Sequence, residues 1–297
     1  MTTSAATPGL ASAPDSSLTV FLPVYNEALS IGQVLREFHD TVVVPHHAKL
    51  LVCEDGSTDG SREVLSSLSE TLPMDLVVGP DRKGYDGGVR DGLRRITTDY
   101  VFFSDSDGQY DPGEFGRIWD ARGEYDMVIG RKDHRSEKVY RTLLSRGFHV
   151  LVKAFTSVPL RDMDCGFRLI RRGTVEAVLP EVHSLKYSFW AEFSIVAYRK
   201  GLRIHEVPIS HRPSVRGGTS IYSWDRIPRI MVLQVIGLLR LARRLNRSNG
   251  SSLPAEPPMP TRFAWRISPP TSSVSDARGD GADLRRRGDF QGRPPGP

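Results

Sequence analysis

A mostly parallel α/β sheet flanked by helices is the fold the sequence predicts, and three observations predict it. Short β-rich apolar runs alternate with helical patterns from Leu18 onward, a rhythm that builds parallel, doubly wound sheets. Each run breaks into a polar or glycine-bearing loop, and ligands of such sheets sit across the carboxyl ends of the strands. One of these loops, after Tyr100-Val-Phe-Phe-Ser104, carries two aspartates spaced i, i+2, Asp105 and Asp107. A buried strand ending in paired carboxylates outlines a site for Mg²⁺ or Mn²⁺, ions held by one or two carboxylates together with substrate phosphates and water. The bland alternative is a turn, since Asp, Ser and Gly dominate turns.

The elements follow in order. Leu18 to Leu22 is a β-rich run ending at Pro23, and Pro23-Val-Tyr-Asn-Glu27 leads into a helix whose apolar positions are Ile31, Val34, Leu35 and Phe38. Lys49 to Cys53 is the second strand; the loop Glu54 to Gly60 follows, with Asp59 or Ser61 as N-cap of a helix over Arg62 to Leu72. Leu76 to Val78 is the third strand, followed by Gly79 to Gly84 and a helix through Val89, Leu93 and Ile96. The acidic loop follows the fourth strand. Asp126 to Gly130 is another strand, Leu143 to Phe155 an apolar-rich helix, and Asp162 to Ile170 a loop entering a strand. Trp190 to Arg199 is helical with Glu192 on it, Arg203 to Ile209 is a strand, and His211 to Ser220 is a basic, glycine-bearing loop suited to closing over phosphates.

From Trp224 to Leu245 an apolar helix is bracketed by Arg226, Arg229, Arg240, Arg243, Arg244 and Arg247. Its apolar part is shorter than the roughly 20 residues a bilayer span needs, so it suits a membrane surface. A core or dimer-packing helix with arginines reaching outward is the other reading. Four segments result: a disordered N-terminus over 1–17, the α/β domain over 18–223, the amphipathic helix over 224–247 and a disordered tail over 248–297, where nine of the 21 prolines fall.

The crevice loops carry a consistent chemistry. Asp55 can accept from the N–H groups of a base, while Arg82, Lys83 and the glycines Gly84, Gly87 and Gly88 offer cationic and close backbone contacts to a diphosphate. Those glycines match no Walker or GxGxxG spacing, and a solvated turn is their bland reading. A net charge of +5 over 297 residues suits a phosphate-rich ligand or an anionic membrane surface, and no basic-aromatic module for nucleic acid is visible. Cys53 and Cys165 lack metal-ligand spacing and read as reduced thiols of a cytosolic protein. The N-terminus lacks the basic and apolar regions of a signal peptide.

Five motifs in unbroken order, Pro23-Val-Tyr-Asn-Glu27, Glu54-Asp55-Gly-Ser-Thr-Asp59, Asp105-Ser-Asp107-Gly-Gln109, Cys165-Gly-Phe-Arg168 and Glu206-Val-Pro-Ile209 through Gly218-Thr-Ser220, resemble a family 2 glycosyltransferase of the GT-A fold. The resemblance spans roughly residues 18–245 and is nearest to dolichyl/polyprenyl-phosphate mannose synthases. It implies a metal-dependent, inverting transfer of a hexose, mannose from GDP-mannose before glucose from UDP-glucose, to a polyprenyl phosphate. It further implies that Pro23, Tyr25, Glu27 and Asp55 hold the nucleotide. Asp105, Asp107 and Gln109 would hold Mg²⁺ or Mn²⁺, and Arg131, Arg216 and Ser220 would face donor or acceptor phosphates. A lipid monophosphate is already anionic and needs no general base; a hydroxyl acceptor would need one, for which Asp164 and Glu192 are the candidates. The expected location is the cytoplasmic face of the membrane, bound peripherally. The competing readings are a family 2 enzyme acting on a hydroxyl of a polysaccharide, glycolipid or small molecule, and a non-catalytic nucleotide-binding module, which the acidic motif disfavours.

Overall fold

The computed structural model describes residues 17–132, 152–153, 155–213 and 227–248. The chain separates into two units: Met1–Pro257 carries every element below, and Pro258–Pro297 lies outside the described residues. The expected disordered termini and almost all of the expected helix over Leu143 to Phe155 also lie outside them, as do Arg216 and Ser220.

Among the described residues seven strands form one sheet in the order β3-β2-β1-β4-β6-β5-β7. They are β1 Leu18–Val24, β2 Lys49–Glu54, β3 Asp75–Val78, β4 Tyr100–Ser104, β5 Met127–Lys132, β6 Phe167–Arg171 and β7 Ile204–Ile209. The helices that cover it are α1 Ile31–Phe38, α2 Ser61–Ser69, α3 Tyr85–Arg94, α4 Phe115–Asp120, α5 Arg172–Val178, α6 Phe189–Arg199 and α7 Ile227–Ser248. The pairings β1 with β2, β1 with β4, β2 with β3 and β5 with β7 are parallel; β6 runs antiparallel to both β4 and β5. The mostly parallel sheet agrees with the sequence. The reversed β6 was not legible, because a strand's direction is set by its distant partners and not by its own pattern.

Local boundaries follow local chemistry. The run at Leu18 continues through Pro23 to Val24, since Pro23 tops an end of β1 where its missing N–H costs little. Ile31, Val34, Leu35 and Phe38 are all buried on one face of α1, as their spacing requires. The helix winds on as a π-helical turn over His39–Val43, in which Val44 N–H donates to His39 O at 2.9 Å. Asp59 Oδ1 accepts from Ser61 N at 3.1 Å and so serves the start of α2, whose N-cap position is Gly60 at φ 92°.

The core lies on both faces of the sheet. β4 is buried along its whole length, and its phenylalanines point to opposite sides: Phe103 meets Phe21 edge-on at 5.4 Å, while Phe102 meets Phe167 at 4.8 Å. Burying each such side chain stabilises the fold by about 1.5–3 kcal/mol. Gly92 of α3 lies so close over the Phe21 ring that any Cβ there would enter it.

α7 packs on this body through one face. Ile230, Gln234, Leu238, Leu241, Ala242 and Leu245 are buried, at the three- and four-residue spacing of a helical stripe. Gly237 lies against the Ser184 carbonyl with no room for a Cβ, Gln234 Nε2 donates to Ser188 Oγ at 2.7 Å, and Arg244 Nη2 donates to Glu192 Oε1 at 3.1 Å. The opposite face exposes Val232, Leu233 and Ile236 among Arg229, Arg240, Arg243 and Arg247. Among the described residues no helix is long and apolar enough to cross a membrane.

Candidate active site

The acidic pair is built by three strands. β4 ends at Ser104, and Asp105 N–H donates to Gly166 O at 2.9 Å, just before the reversed β6 begins. Gly166 is required there: a Cβ would collide with Asp105 Oδ2. On the other side Ser106 Oγ donates to Pro23 O at 2.6 Å and ties the loop to β1. The chain then turns through Gly108 at φ 74°, so that Gln109 N–H donates back to Asp107 Oδ1 at 3.1 Å. Tyr85 of α3 donates its hydroxyl proton to Asp105 Oδ1 at 2.8 Å and accepts from Trp190 Nε1 of α6 at 2.8 Å.

Burial, reinforced by the Asp107 charge, pushes the Asp105 carboxyl up to about 7 against the opposing pull of Tyr85, Lys132 and Arg168. Burial also raises Asp107, opposed by the Gln109 N–H and by Lys132. Two carboxylates that resist ionisation side by side are what a cation would relieve. No group of three or more His, Cys, Asp or Glu side chains fit to hold a metal exists among the described residues. Mg²⁺ or Mn²⁺ takes one or two carboxylates and completes its shell with water and substrate phosphate. The buried pair Asp105 and Asp107 fits such an ion as a donor set and would be what holds it.

The second wall is the loop after β2. Asp55 N–H donates to Val24 O at 2.9 Å, and Asp55 Oδ1 accepts from Lys83 N at 2.7 Å, which brings the start of α3 to the strand ends. Burial raises the Asp55 carboxyl, with the Lys83 and Gly84 N–H groups and Arg82 working against it. The Arg82 guanidinium lies 3.8 Å from the Tyr25 ring centroid, a cation–π stack at the crevice. Glu54 is the fixed post beneath, buried, accepting from Arg62 Nη2 at 2.9 Å and from Ser57 N. Glu27 is tied into the same framework: its N–H donates to Ser61 Oγ at 2.7 Å, and its carboxylate accepts from Ser30 Oγ at 2.9 Å. Lys83 pairs with Asp91, and Gly84 takes φ 79° to begin α3.

The third wall comes from β6 and α6. Arg168 is fully buried and donates to Cys165 O at 2.9 Å, Met163 O at 3.1 Å and Ser194 Oγ at 3.1 Å, with its guanidinium 4.2 Å from the Trp190 ring. Asp164 Oδ1 accepts from Ala191 N at 3.2 Å in the first turn of α6. Asp162 accepts from Lys132 N at 3.2 Å and is itself held by Glu206, which takes its N–H at 2.7 Å. Asp86 of α3 faces Arg90, Glu192, Asp164 and Lys186, and burial lifts its carboxyl to about 7.

Most sequence-derived candidates converge here: Pro23, Tyr25, Asp55, Lys83, Gly84, Asp105, Asp107 and Asp164 all lie at or beside the strand ends. Three differ in detail. Gln109 directs its Nε2 to Arg212 O at 3.4 Å, bracing the loop after β7. Arg131 exerts its charge on His205, whereas the next residue, Lys132, acts on both aspartates, because neighbours on a strand face opposite sides. Glu192 is fully buried, and its carboxylate accepts from His183 N, Ser184 N and Leu185 N at 2.7–3.0 Å and from Arg244, so it has no role as a base. Tyr85, Asp86, Asp162, Lys132 and Trp190 went unread as site residues; period-2 alternation along β5 was the one signal able to favour Lys132 over Arg131. Burial lifts the Cys53 thiol to about 12 and the Cys165 thiol to about 11, leaving both protonated.

Comparison with known proteins agrees with this fold. A family model described as glycosyl transferase family 2 matches residues 19–179. The chain is 27% identical over 254 residues to a dolichyl-phosphate beta-glucosyltransferase of Saccharomyces cerevisiae, covering 75% of each chain. It is 28% identical over 243 residues to an undecaprenyl-phosphate 4-deoxy-4-formamido-L-arabinose transferase of Klebsiella pneumoniae, covering 80% of this chain and 72% of that one. Among solved structures it resembles the glucosyl-3-phosphoglycerate synthase of Mycobacterium tuberculosis in complex with Mn²⁺, UDP-glucose and phosphoglyceric acid. That likeness has a TM-score of 0.59 at 18% identity over 77% of this chain and 80% of that one, and it shows a shared GT-A fold.

Proposed function

Since the chain belongs to glycosyl transferase family 2, we propose that it moves a hexose from a nucleoside-diphosphate sugar to a polyprenyl phosphate, inverting the anomeric carbon. The observation that carries this reading is the Asp105–Asp107 pair at the end of β4, facing Lys132 and sharing one crevice with Asp55 and Tyr25. Mannose is the sugar that the sequence resemblance favours. The relatives described above act, by their names, on glucose and on a formamido-arabinose, so glucose from UDP-glucose takes first place here and mannose from GDP-mannose second.

A divalent cation held by Asp105 and Asp107 would neutralise the charge that builds on the departing nucleoside diphosphate. The chain's own residues do the rest by position. Asp55 accepts from the N–H of the base, Tyr25 and Arg82 offer a flat cationic wall, and Lys132 adds positive charge beside the two carboxylates. Arg216 and Ser220 are the groups that the resemblance assigns to donor or acceptor phosphates, where they would align the acceptor for in-line attack, while Arg131 lies on the other side of β5 from the aspartates. A phosphate oxygen is already nucleophilic, which matches a site where Glu192 is locked by backbone donors. The outer face of α7, aliphatic and arginine-bearing, supports a peripheral seat at the cytoplasmic membrane surface.

A panel of labelled UDP- and GDP-sugars with polyprenyl phosphate in detergent, followed by organic-phase partition, tests the reading. Label entering the organic phase only with Mg²⁺ or Mn²⁺, and lost in Asp107→Ala while the fold stays intact, is the expected result. Label confined to the aqueous phase in a hydroxyl-bearing product would replace it with the second reading, in which Asp164 at the start of α6 acts as base.

A further inference from the structure

We propose that Tyr85 is a positioning residue for the cation site: its hydroxyl, itself oriented by the Trp190 indole, fixes the rotation of the Asp105 carboxylate. The inference rests on the functional reading above and adds to it a residue outside the acidic motif.

The direction of the relay follows from what each group can do. An indole N–H only donates, and a tyrosine hydroxyl has one proton. With Trp190 Nε1 donating to the Tyr85 oxygen at 2.8 Å, that single proton points to Asp105 Oδ1, also at 2.8 Å. With Asp105 ionised, these two partners leave the hydroxyl proton one place to go. Its anchor is firm too: Trp190 is 1% exposed, wedged by Phe103 at 4.5 Å, Phe189 at 5.0 Å and Phe193 at 5.5 Å, with Arg168 over its face at 4.2 Å.

Gly166 closes the other side of the carboxylate, lying so near Asp105 Oδ2 that only a residue without Cβ fits. One oxygen is gripped and the other is walled, so Asp105 is held in a single orientation. Asp107 is set by a different, local device, the N–H of Gln109 two residues on. The two carboxylates thus owe their mutual geometry to α3 and α6 as well as to their own loop. A bland reading exists, in which Tyr85 merely bridges α3 to α6. Tyr85 as a whole residue is 41% exposed, however, with its hydroxyl turned inward to Asp105 and Trp190, so Tyr85→Phe removes that hydroxyl and little core volume.

Mn²⁺ titration followed by the EPR signal of the free ion, with UDP present, separates the two readings. Tyr85→Phe should melt within about 2 °C of the parent and bind Mn²⁺ about ten-fold more weakly, the scale of one hydrogen bond to a charged group. Its turnover should return toward the parent value as Mn²⁺ is raised. Trp190→Phe, which keeps the tyrosine and removes its indole donor along with some core volume, should melt lower and show a smaller loss of Mn²⁺ affinity in the same direction. Parent-like Mn²⁺ binding in Tyr85→Phe, or a turnover deficit that added Mn²⁺ leaves untouched, would overturn the proposal. Asp107→Ala serves as the separate control: parent binding lost in that variant supports the cation site whatever Tyr85→Phe does. A parent that binds no Mn²⁺ with UDP overturns both.

Discussion

Asp105 is expensive to keep. Its folded-state carboxyl, lifted to about 7 from an ordinary 3.8 chiefly by burial, holds a proton that the unfolded chain has already released. Where the native state binds more protons than the unfolded one, stability falls as pH rises. The loss accumulates between those two values and persists above them. Asp105→Asn abolishes that loss, so in EDTA it should melt higher than the parent by at least about 2 °C at pH 8, with a smaller gap at pH 5. An equal gap at both pH values, or a variant melting lower, would contradict the assignment. The same proton must leave for a cation to bind, so Mn²⁺ affinity should climb with pH until about 7. Asp164 tests the acceptor. Asp164→Asn keeps the shape and loses basicity, so transfer to a lipid phosphate should stay within an order of magnitude, whereas a general base would cost about 10²–10⁴-fold. The acidic pair could be read from the sequence because its signal is local, a strand followed by Asp-Ser-Asp. Tyr85, Trp190 and Lys132 could not, because they lie 20 or more residues away from Asp105 and reach it only through the sheet.

α7 shows the same division at the scale of an element. Its amphipathic character stands in the sequence, but both faces carry aliphatic residues, and only packing assigns them. Arg244 illustrates why: it belongs to the arginine cluster by sequence, yet it turns inward to Glu192, 52 residues distant, and is partner to α6. Arg240, Arg243 and Arg247 remain outside, exposed beside Val232, Leu233 and Ile236. Replacing those three with Gln should weaken binding to anionic liposomes by about two orders of magnitude at low salt, at about 1 kcal/mol per arginine. The difference should shrink as salt rises, and turnover of a short-chain, water-soluble acceptor should hold. Arg244→Gln should instead lower the melting temperature, since it strips a charged donor from a fully buried carboxylate. Liposome binding equal in parent and triple variant would make the outer face irrelevant to membranes.

For the whole molecule, the strands and the mostly parallel sheet were accessible from the alternation of apolar runs and helices, whereas the order of the strands was not read. In the second half β6 enters between β4 and β5 against the direction of both. The reversed strand has a consequence in time as well as in space. β1 to β4 are complete once Ser104 has been made, but the open side of β4 waits for β6, whose Phe167 pairs with Ser104 across 63 residues of later chain. At roughly 5–20 residues per second, a ribosome leaves that edge bare for about 3–12 s. The edge reads Tyr-Val-Phe-Phe-Ser, apolar and buried throughout in the finished protein, the kind of strand that pairs with whatever strand it meets first. Pulse-labelled hydrogen exchange during refolding should find β1 to β3 amides protected before those of β6 and β7, with the Asp105 N–H, bonded to Gly166 O, among the late group. Simultaneous protection of both halves would refute this order. A chain released early, after β5 but before β6, would own every residue of the acidic motif and still lack the Gly166 carbonyl that seats Asp105, and its sticky central edge would make it a client for a chaperone before it could become an enzyme.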